Sequence, residues 1–339
     1  MLDRGTILVT GGAGFIGSAL IWALNQAGHE RILVADVLDR SEKWRNLVPL
    51  RFDDYLEAEW LRQALDRSTL DHVRTVIHLG ACSSTTESDG AYLIRNNFDY
   101  TKALCEWALG RNVRFVYASS AATYGALEGT LRDDLELAAL RPLNLYAYSK
   151  HLFDLHAQRC GYLDRIVGLK YFNVFGPNEN HKGPMRSMVH KAFQQVVDTG
   201  RVQLFSSDRP EFADGHQRRD FLYVKDAVRT TLRIADRDAV HGLLNVGAGT
   251  AHTWLDLVRP VFDALGRPPQ IEFVPMPTEL RAKYQYSTCA SLVRLREADP
   301  DHEVTPLVQA VTECVREYLV PQRRLGEEQA RPAATGATR

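Results

Sequence analysis

The fold predicted is α/β, a Rossmann-type doubly wound parallel sheet followed by a smaller C-terminal α/β lobe, and three observations predict it. Short β-branched or apolar runs alternate with stretches of helical period, a glycine-rich turn joins the first such run to the first helix, and an acid closes the second run. The strands expected are Thr6 to Thr10, Ile32 to Asp36, Thr75 to Leu79, Phe115 to Ser119 and Ile166 to Lys170. Between the first two, Phe15, Ile16, Leu20 and Leu24 recur at helical spacing and stop at Gly28, which completes a βαβ unit of about thirty residues.

After about residue 175 the texture changes to loops carrying Pro177, Pro184 and Pro210, then to shorter helices and strands. The organisation expected is a dinucleotide-binding unit over 1–175, its sheet completed by segments around 220–250. A substrate lobe over 176–325 and a disordered tail over 326–339 follow, the tail being small and polar without a period.

Composition bounds the function. The 339 residues carry 45% hydrophobic and 24% charged side chains, with Lys plus Arg 41 against Asp plus Glu 42 and a net charge of −1. There is no basic block to follow a phosphate backbone, so nucleic acid is not expected as a partner. No apolar run approaches the roughly 18 residues of a membrane span, and no signal-peptide core is apparent, so the expected location is the cytoplasm. Five scattered cysteines, Cys82, Cys105, Cys160, Cys289 and Cys314, form no C-x-x-C pair, and no metal site is expected.

The strongest motif is Thr10-Gly11-Gly12-Ala13-Gly14-Phe15-Ile16-Gly17, directly after a strand and opening a helix. Glycines at Gly11, Gly14 and Gly17 let the backbone turn tightly and approach a pyrophosphate, while the helix N-terminus supplies N–H donors and positive dipole. Asp36, 19 residues past Gly17, stands where an acid takes ribose hydroxyls, which favours NAD. Arg40 and Lys43 follow within a turn or two as candidates for a ribose 2′-phosphate, so NADP stays open. Gly80 and Ala81 end the third strand with small residues along the same path.

Tyr146 and Lys150 are four residues apart and share one helix face. A phenol is a poor base at neutral pH, but a nearby ammonium favours the phenolate. The strand Phe115 to Ser119 runs on into Ser120 at the carboxyl edge of the sheet, where ligands bind in open α/β folds, and Ser120 is placed to hydrogen-bond a substrate hydroxyl.

Together these pieces resemble the extended short-chain dehydrogenase/reductase superfamily, whose members act on nucleotide sugars through a Ser/Thr, Tyr, Lys triad and a nicotinamide cofactor. Ser120, four before Tyr124 of S-x-x-x-Y-G, matches the catalytic serine. Three longer stretches, Gly80 to Glu87, Tyr117 to Gly125 and Tyr171 to Pro177 with His181-Lys182-Gly183, resemble the ADP-L-glycero-D-manno-heptose 6-epimerases over about Ile7 to Tyr318. The resemblance implies inversion at C6″ of ADP-D-glycero-D-manno-heptose for the lipopolysaccharide inner core, tightly held NADP and a homo-oligomer, pentameric in relatives.

It also implies site residues. Phe15, Ile16, Asp36, Val37, Lys43, Gly80, Ala81, Cys82, Ser83, Asn96, Lys150, Val174 and Lys182 would line the cofactor together with the glycines. Asn173, Phe205, Ser206, Ser207, Asp208, Arg219, Tyr284 and Ser120 would hold the substrate. Tyr146, Lys150 and Ser120 would act on the first face of the sugar carbon, and Lys182 either donates a proton on the second face or clamps the pyrophosphate. Ala121 and Ala122 stand where dehydratases of the superfamily carry an Asp-Glu pair, which argues against dehydration. A nucleotide-sugar 4-epimerase, or a non-catalytic NAD(P)-binding sensor, is the competing reading, and the insertion Arg209 to Arg218 lengthens a substrate-lobe loop.

Overall fold

A computed structural model describes residues 2–65, 68–281 and 284–327. The expected tail falls outside them from residue 328 on, whereas Gly326 and Glu327 are placed, next to a fully buried Leu325.

Fourteen strands occur among the described residues. The central sheet joins β1 (Thr6–Thr10), β2 (Ile32–Asp36), β3 (Asp54–Glu57), β4 (Val73–His78), β5 (Arg114–Ser120), β7 (Val167–Tyr171) and β11 (Gly242–Val246). A short β6 (Gly129–Leu131) lies outside it. The seven are all parallel, in the order β3-β2-β1-β4-β5-β7-β11. Their buried positions are near-continuous apolar runs, as in Thr6–Thr10 and Ile32–Asp36, because helices cover both faces.

The order reverses between β1 and β4. Right-handed crossovers then send the helices to opposite faces and leave a crevice above the carboxyl ends of those two strands. The helix Phe15–Gln26 packs against Val224–Ala235, and the helix Leu145–Arg159 against β5 and the turn Ile94–Asp99.

A second layer of structure rises beside the carboxyl ends. There β8 (Asn173–Phe175), β10 (Arg218–Tyr223) and β12 (Ala251–Thr253) form a three-stranded sheet, and β9 (Val202–Phe205) pairs with β13 (Ile271–Val274). The last strand, β14 (Thr288–Ala290), pairs with β6. Of the stretch around 220–250, β11 enters the central sheet, whereas β10 belongs to the smaller one. The helices Met188–Thr199 and Trp254–Ala264 pack on each other over these strands. No helix among the described residues is long and apolar enough to cross a membrane.

One packing choice matters for the site. Gly168 on β7 faces the ring of Tyr117 on β5: a Cβ there would sit 2.5 Å from Tyr117 Cζ and its hydroxyl. Glycine thus leaves room for a buried tyrosine to cross over its neighbouring strand. Gly168→Ala is expected to destabilise the fold by about 1–3 kcal/mol through overpacking. Urea unfolding should show this as a lower midpoint at unchanged slope.

Candidate active site at the carboxyl edge of the sheet

The glycine-rich turn is shaped by contacts only glycine allows. Gly11 has φ +68° and a Cβ there would lie 2.7 Å from Gly80 N, while one at Gly17 would lie 2.0 Å from Gly11 O. The loops after β1 and β4 therefore touch backbone to backbone, and the N-terminus of Phe15–Gln26 opens directly above them.

Asp36 holds this turn from below. Its Oδ2 accepts from Ala13 N at 2.8 Å and its Oδ1 from Val37 N at 2.7 Å and Lys43 Nζ at 2.9 Å. Lys43 thereby covers a charge that would repel a phosphate. Val37 is exposed beside it. His181 lies nearby, and burial followed by the Lys43 and Lys182 cations pushes its imidazole down to about 4, so it stays neutral in a positive field.

The loop after β4 is fastened by Asn97, a fully buried residue not among those expected from the sequence. Asn97 Oδ1 accepts from Cys82 N at 2.8 Å; its Nδ2 donates to Cys82 O at 3.0 Å and to Ser149 Oγ at 2.9 Å. One amide thus sets Gly80, Ala81, Cys82 and Ser83 against the helix of Tyr146. Asn96 Nδ2 instead donates to Tyr92 O at 2.9 Å.

That helix starts at Asn144, whose Oδ1 accepts from Ala147 N at 2.8 Å. It brings Tyr146 and Lys150 over the end of β5. Lys150 is buried and donates from Nζ to Ala118 O at 2.8 Å. Desolvation brings its ammonium down to about 8, with Asp154 and Cys82 pulling the other way. Burial raises the Tyr146 phenol above 10, and hydrogen bonding from Ser120 opposes that rise. Ser120 Oγ also accepts from Ala122 N at 3.1 Å, which turns the chain at the strand end. The three side chains form a unit able to take a proton from, and return it to, a hydroxyl held above β5.

On the other side of the crevice, Lys182 Nζ lies 5.0 Å over the ring of Phe15 and 3.8 Å from Glu179 Oε2. Glu179 is itself buried, accepting from Gly176 N at 3.1 Å and Ser187 N at 2.6 Å. The loop that carries Lys182 is tied to the glycine turn through Asn178 and Asn46. Asn178 Nδ2 donates to Ser18 Oγ at 2.9 Å, and Asn46 Nδ2 to Ala13 O at 3.1 Å and Asn178 O at 3.3 Å. The C-terminal segment closes this cluster: Leu325 N donates to Asn178 Oδ1 at 3.1 Å and Arg324 Nε to Asn46 Oδ1 at 3.2 Å.

Lys182 also borders a cavity of about 570 Å³ between β8, β9 and the helix Met188–Thr199, lined further by Asn173, Val174, Phe205 and Tyr284. Its floor carries cations and rings the sequence reading did not single out: Arg186, Lys191, Phe221 and Trp254. Lys191 and Gln195 are one turn apart on the helix and both face the cavity, a polar i, i+4 pair that would have been a usable signal. Arg219 is buried beside it, its guanidinium 5.0 Å over Tyr284 and 5.9 Å over Trp254, whose Nε1 donates to Tyr284 Oη at 2.8 Å.

Ser206, Ser207 and Asp208 flank rather than line the cavity. Ser207 N donates to Asp214 Oδ1 at 2.7 Å and Asp208 pairs with Arg281 at 3.1 Å. The inserted loop folds over this edge, where Arg209 meets Glu128 at 2.8 Å and lies 4.2 Å over the Tyr286 ring.

Residues 7–247 match the model of the NAD dependent epimerase/dehydratase family. A relative from Nitratidesulfovibrio vulgaris strain DP4, named ADP-L-glycero-D-manno-heptose-6-epimerase, is 49% identical over 316 residues, covering 92% of this chain and 97% of its own. The Helicobacter pylori structure of the same name superposes with TM-score 0.78 at 25% identity, over 93% of this chain and 96% of that one. MoeE5 in complex with UDP-glucuronic acid and NAD gives TM-score 0.71 at 26% identity, over 92% and 99%.

The burial of Lys150 makes a direct prediction. Its Nζ should lose its proton as pH rises through about 8 instead of 10.5, being charged below and neutral above. Nitrogen-15 NMR of lysine-labelled protein, with the resonance assigned by its loss in Lys150→Arg, checks this.

Proposed function

For a chain that belongs to the NAD dependent epimerase/dehydratase family, we propose the inversion of C6″ of ADP-D-glycero-D-manno-heptose to ADP-L-glycero-D-manno-heptose, for lipopolysaccharide inner-core heptose. The observation that carries this reading is the 49% identity over nearly the whole chain to a protein of that name, with the Ser120, Tyr146, Lys150 unit intact.

The crevice fits a nicotinamide dinucleotide, since Gly11 and Gly17 leave no room for a Cβ and the turn therefore presents bare backbone beneath the helix N-terminus. Such a cofactor supplies reversible hydride transfer when bound. NADP is the form proposed. Its support is the Lys43 pairing that masks Asp36, with neutral His181 in the field of Lys43 and Lys182. The helix N-terminus and the glycine turn would hold the pyrophosphate, and the Gly80 to Ser83 loop the far half.

Tyr146 takes the C6″ hydroxyl proton while Ser120 holds that oxygen, and protonated Lys150 stabilises the phenolate. A transient ketone results. Inversion requires that the ketone present its other face before reduction, so a second proton donor is needed across the crevice. Lys182 is that donor in this reading. Its position at the junction of Phe15 and the substrate cavity supports the assignment, and Arg186 and Lys191 offer separate charges for the diphosphate. Trp254, Tyr284 and Phe205 give the cavity flat apolar walls for a base.

Proton NMR of ADP-D-glycero-D-manno-heptose with the purified protein is expected to show the L-glycero epimer. Tyr146→Phe should slow it by about 10²–10⁴-fold. Inversion at C4″ of a UDP-sugar instead overturns the substrate assignment, and full activity of Tyr146→Phe overturns the chemistry. Mass analysis of the co-purifying nicotinamide decides NADP against NAD. Lys182→Met should lower kcat with KM little changed; a rise in KM alone makes Lys182 a phosphate clamp. The reading includes a homo-oligomer, and a monomer mass by light scattering removes that part.

A further inference from the structure

Beneath the Tyr146–Lys150 face, one turn further along the same helix, lies a second polar cluster that contacts neither crevice nor cavity. Asp154 is fully buried, and its Oδ1 accepts from Tyr117 Oη at 2.8 Å and its Oδ2 from Ser119 Oγ at 2.7 Å. Lys170 on β7, also fully buried and directly across from Ser119 in the sheet, places Nζ 3.3 Å from Asp154 Oδ2. The same ammonium donates to Thr123 Oγ1 at 2.6 Å and lies 4.8 Å over the Tyr124 ring, and Thr123 Oγ1 in turn donates to Ser120 O at 2.8 Å.

The contacts therefore run from the helix of Tyr146 and Lys150, through one ion pair, to both sides of the strand end that carries Ser120. A buried ion pair is a poor way to gain stability, because desolvating two charges offsets their attraction. Its value lies in geometry and field. We propose that Asp154 and Lys170 are positioning residues for the reaction: they fix the Tyr146–Lys150 helix against the Ser120 strand end and maintain the charge of Lys150.

The field part has a sign. The groups that act on Lys150 are Asp154 on its own helix, Cys82 from the loop after β4 and His78 from the end of β4. His78 is fully buried and neutral, its nitrogens bonded to Thr10 and Thr101, and Cys82 is a free thiol. Asp154 is thus the carboxylate that favours the Lys150 ammonium against its burial. Around Asp154 itself stand Tyr117 and Ser119 from β5, Lys170 from β7, and His151 and Lys150 from its helix. With Asp154 neutralised, Lys150 loses that support and Lys170 is left without its carboxylate partner.

The inference rests on the reading of Tyr146 and Lys150 as the reacting pair, so the test has a readout that needs no turnover. In full-length lysine-labelled protein, Asp154→Asn is expected to lower the pH at which Lys150 Nζ titrates by about one unit or more. The alkaline limb of epimerisation should fall by the same amount, while Lys170→Arg, which keeps the charge, leaves both at wild-type values. Stranding one buried charge endangers folding, so Asp154→Asn with Lys170→Met, which strands neither, provides the same comparison and the same direction of shift. A wild-type Lys150 midpoint in either folded variant overturns the proposal whatever the substrate proves to be. A lowered midpoint without epimerisation in the wild type leaves the field in place and overturns the reaction instead.

Discussion

Everything at the carboxyl edge depends on one approach of backbone to backbone, where the turn after β1 meets the loop after β4. Gly11 can lie that close to Gly80 only because it carries no Cβ, which would sit 2.7 Å from Gly80 N. The approach follows from topology: β1 and β4 are neighbours at the point where strand order reverses, so their ends open outward in opposite senses and leave a crevice. A larger residue at Gly11 would separate the two loops. It would also displace Cys82 and, through Asn97, the helix that carries Tyr146.

The buried carboxylates share a pattern. Asp36, Asp154, Glu179 and Asp220 each accept at least two hydrogen bonds, those of Asp154 and Asp220 from elements distant in sequence, and three of the four also face a lysine within 4 Å. Buried charge that is fully partnered costs little and becomes expensive when one partner goes, so each acts as a joint of fixed length. Asp36 joins β2 to the glycine turn and Glu179 joins the Lys182 loop to the following helix. Asp220 ties β10 to the turn after β11 by accepting from Ala248 and Gly249. The crevice is rigid where the cofactor would lie, whereas the cavity edge is held mainly by exposed pairs such as Arg209–Glu128 and Asp208–Arg281, which contribute little each.

How far the sequence could be read follows the range of the forces. β1 and β2 stand at their expected residues, because an apolar run, a glycine turn and a terminal acid are local signals. β5 and β7 begin or end a residue away from expectation, and β3 carried no readable signal, being a four-residue strand at the sheet edge with polar ends. The strand-end serine, the tyrosine and the lysine were legible from spacing on one helix and one strand. Asn97 was not, since its role requires Cys82 and Ser149 to meet through the fold. The same holds for Asp154 and Lys170, and for Arg186 and Trp254, which share a cavity although nearly seventy residues separate them in the chain.

The clamp formed by Arg324 and Leu325 on Asn46 and Asn178 gives the site a place in time as well as in space. During synthesis the first βαβ unit, with its glycine turn, is free to form early, since its contacts are local and domains fold from the N-terminus as they emerge. The loop of Lys182 cannot be fastened to that turn in its final manner until nearly 150 further residues have been added. A nascent chain would therefore hold a nucleotide cradle well before it holds a completed crevice, and the cradle's early occupant would wait for the Arg324–Leu325 segment to be shut in.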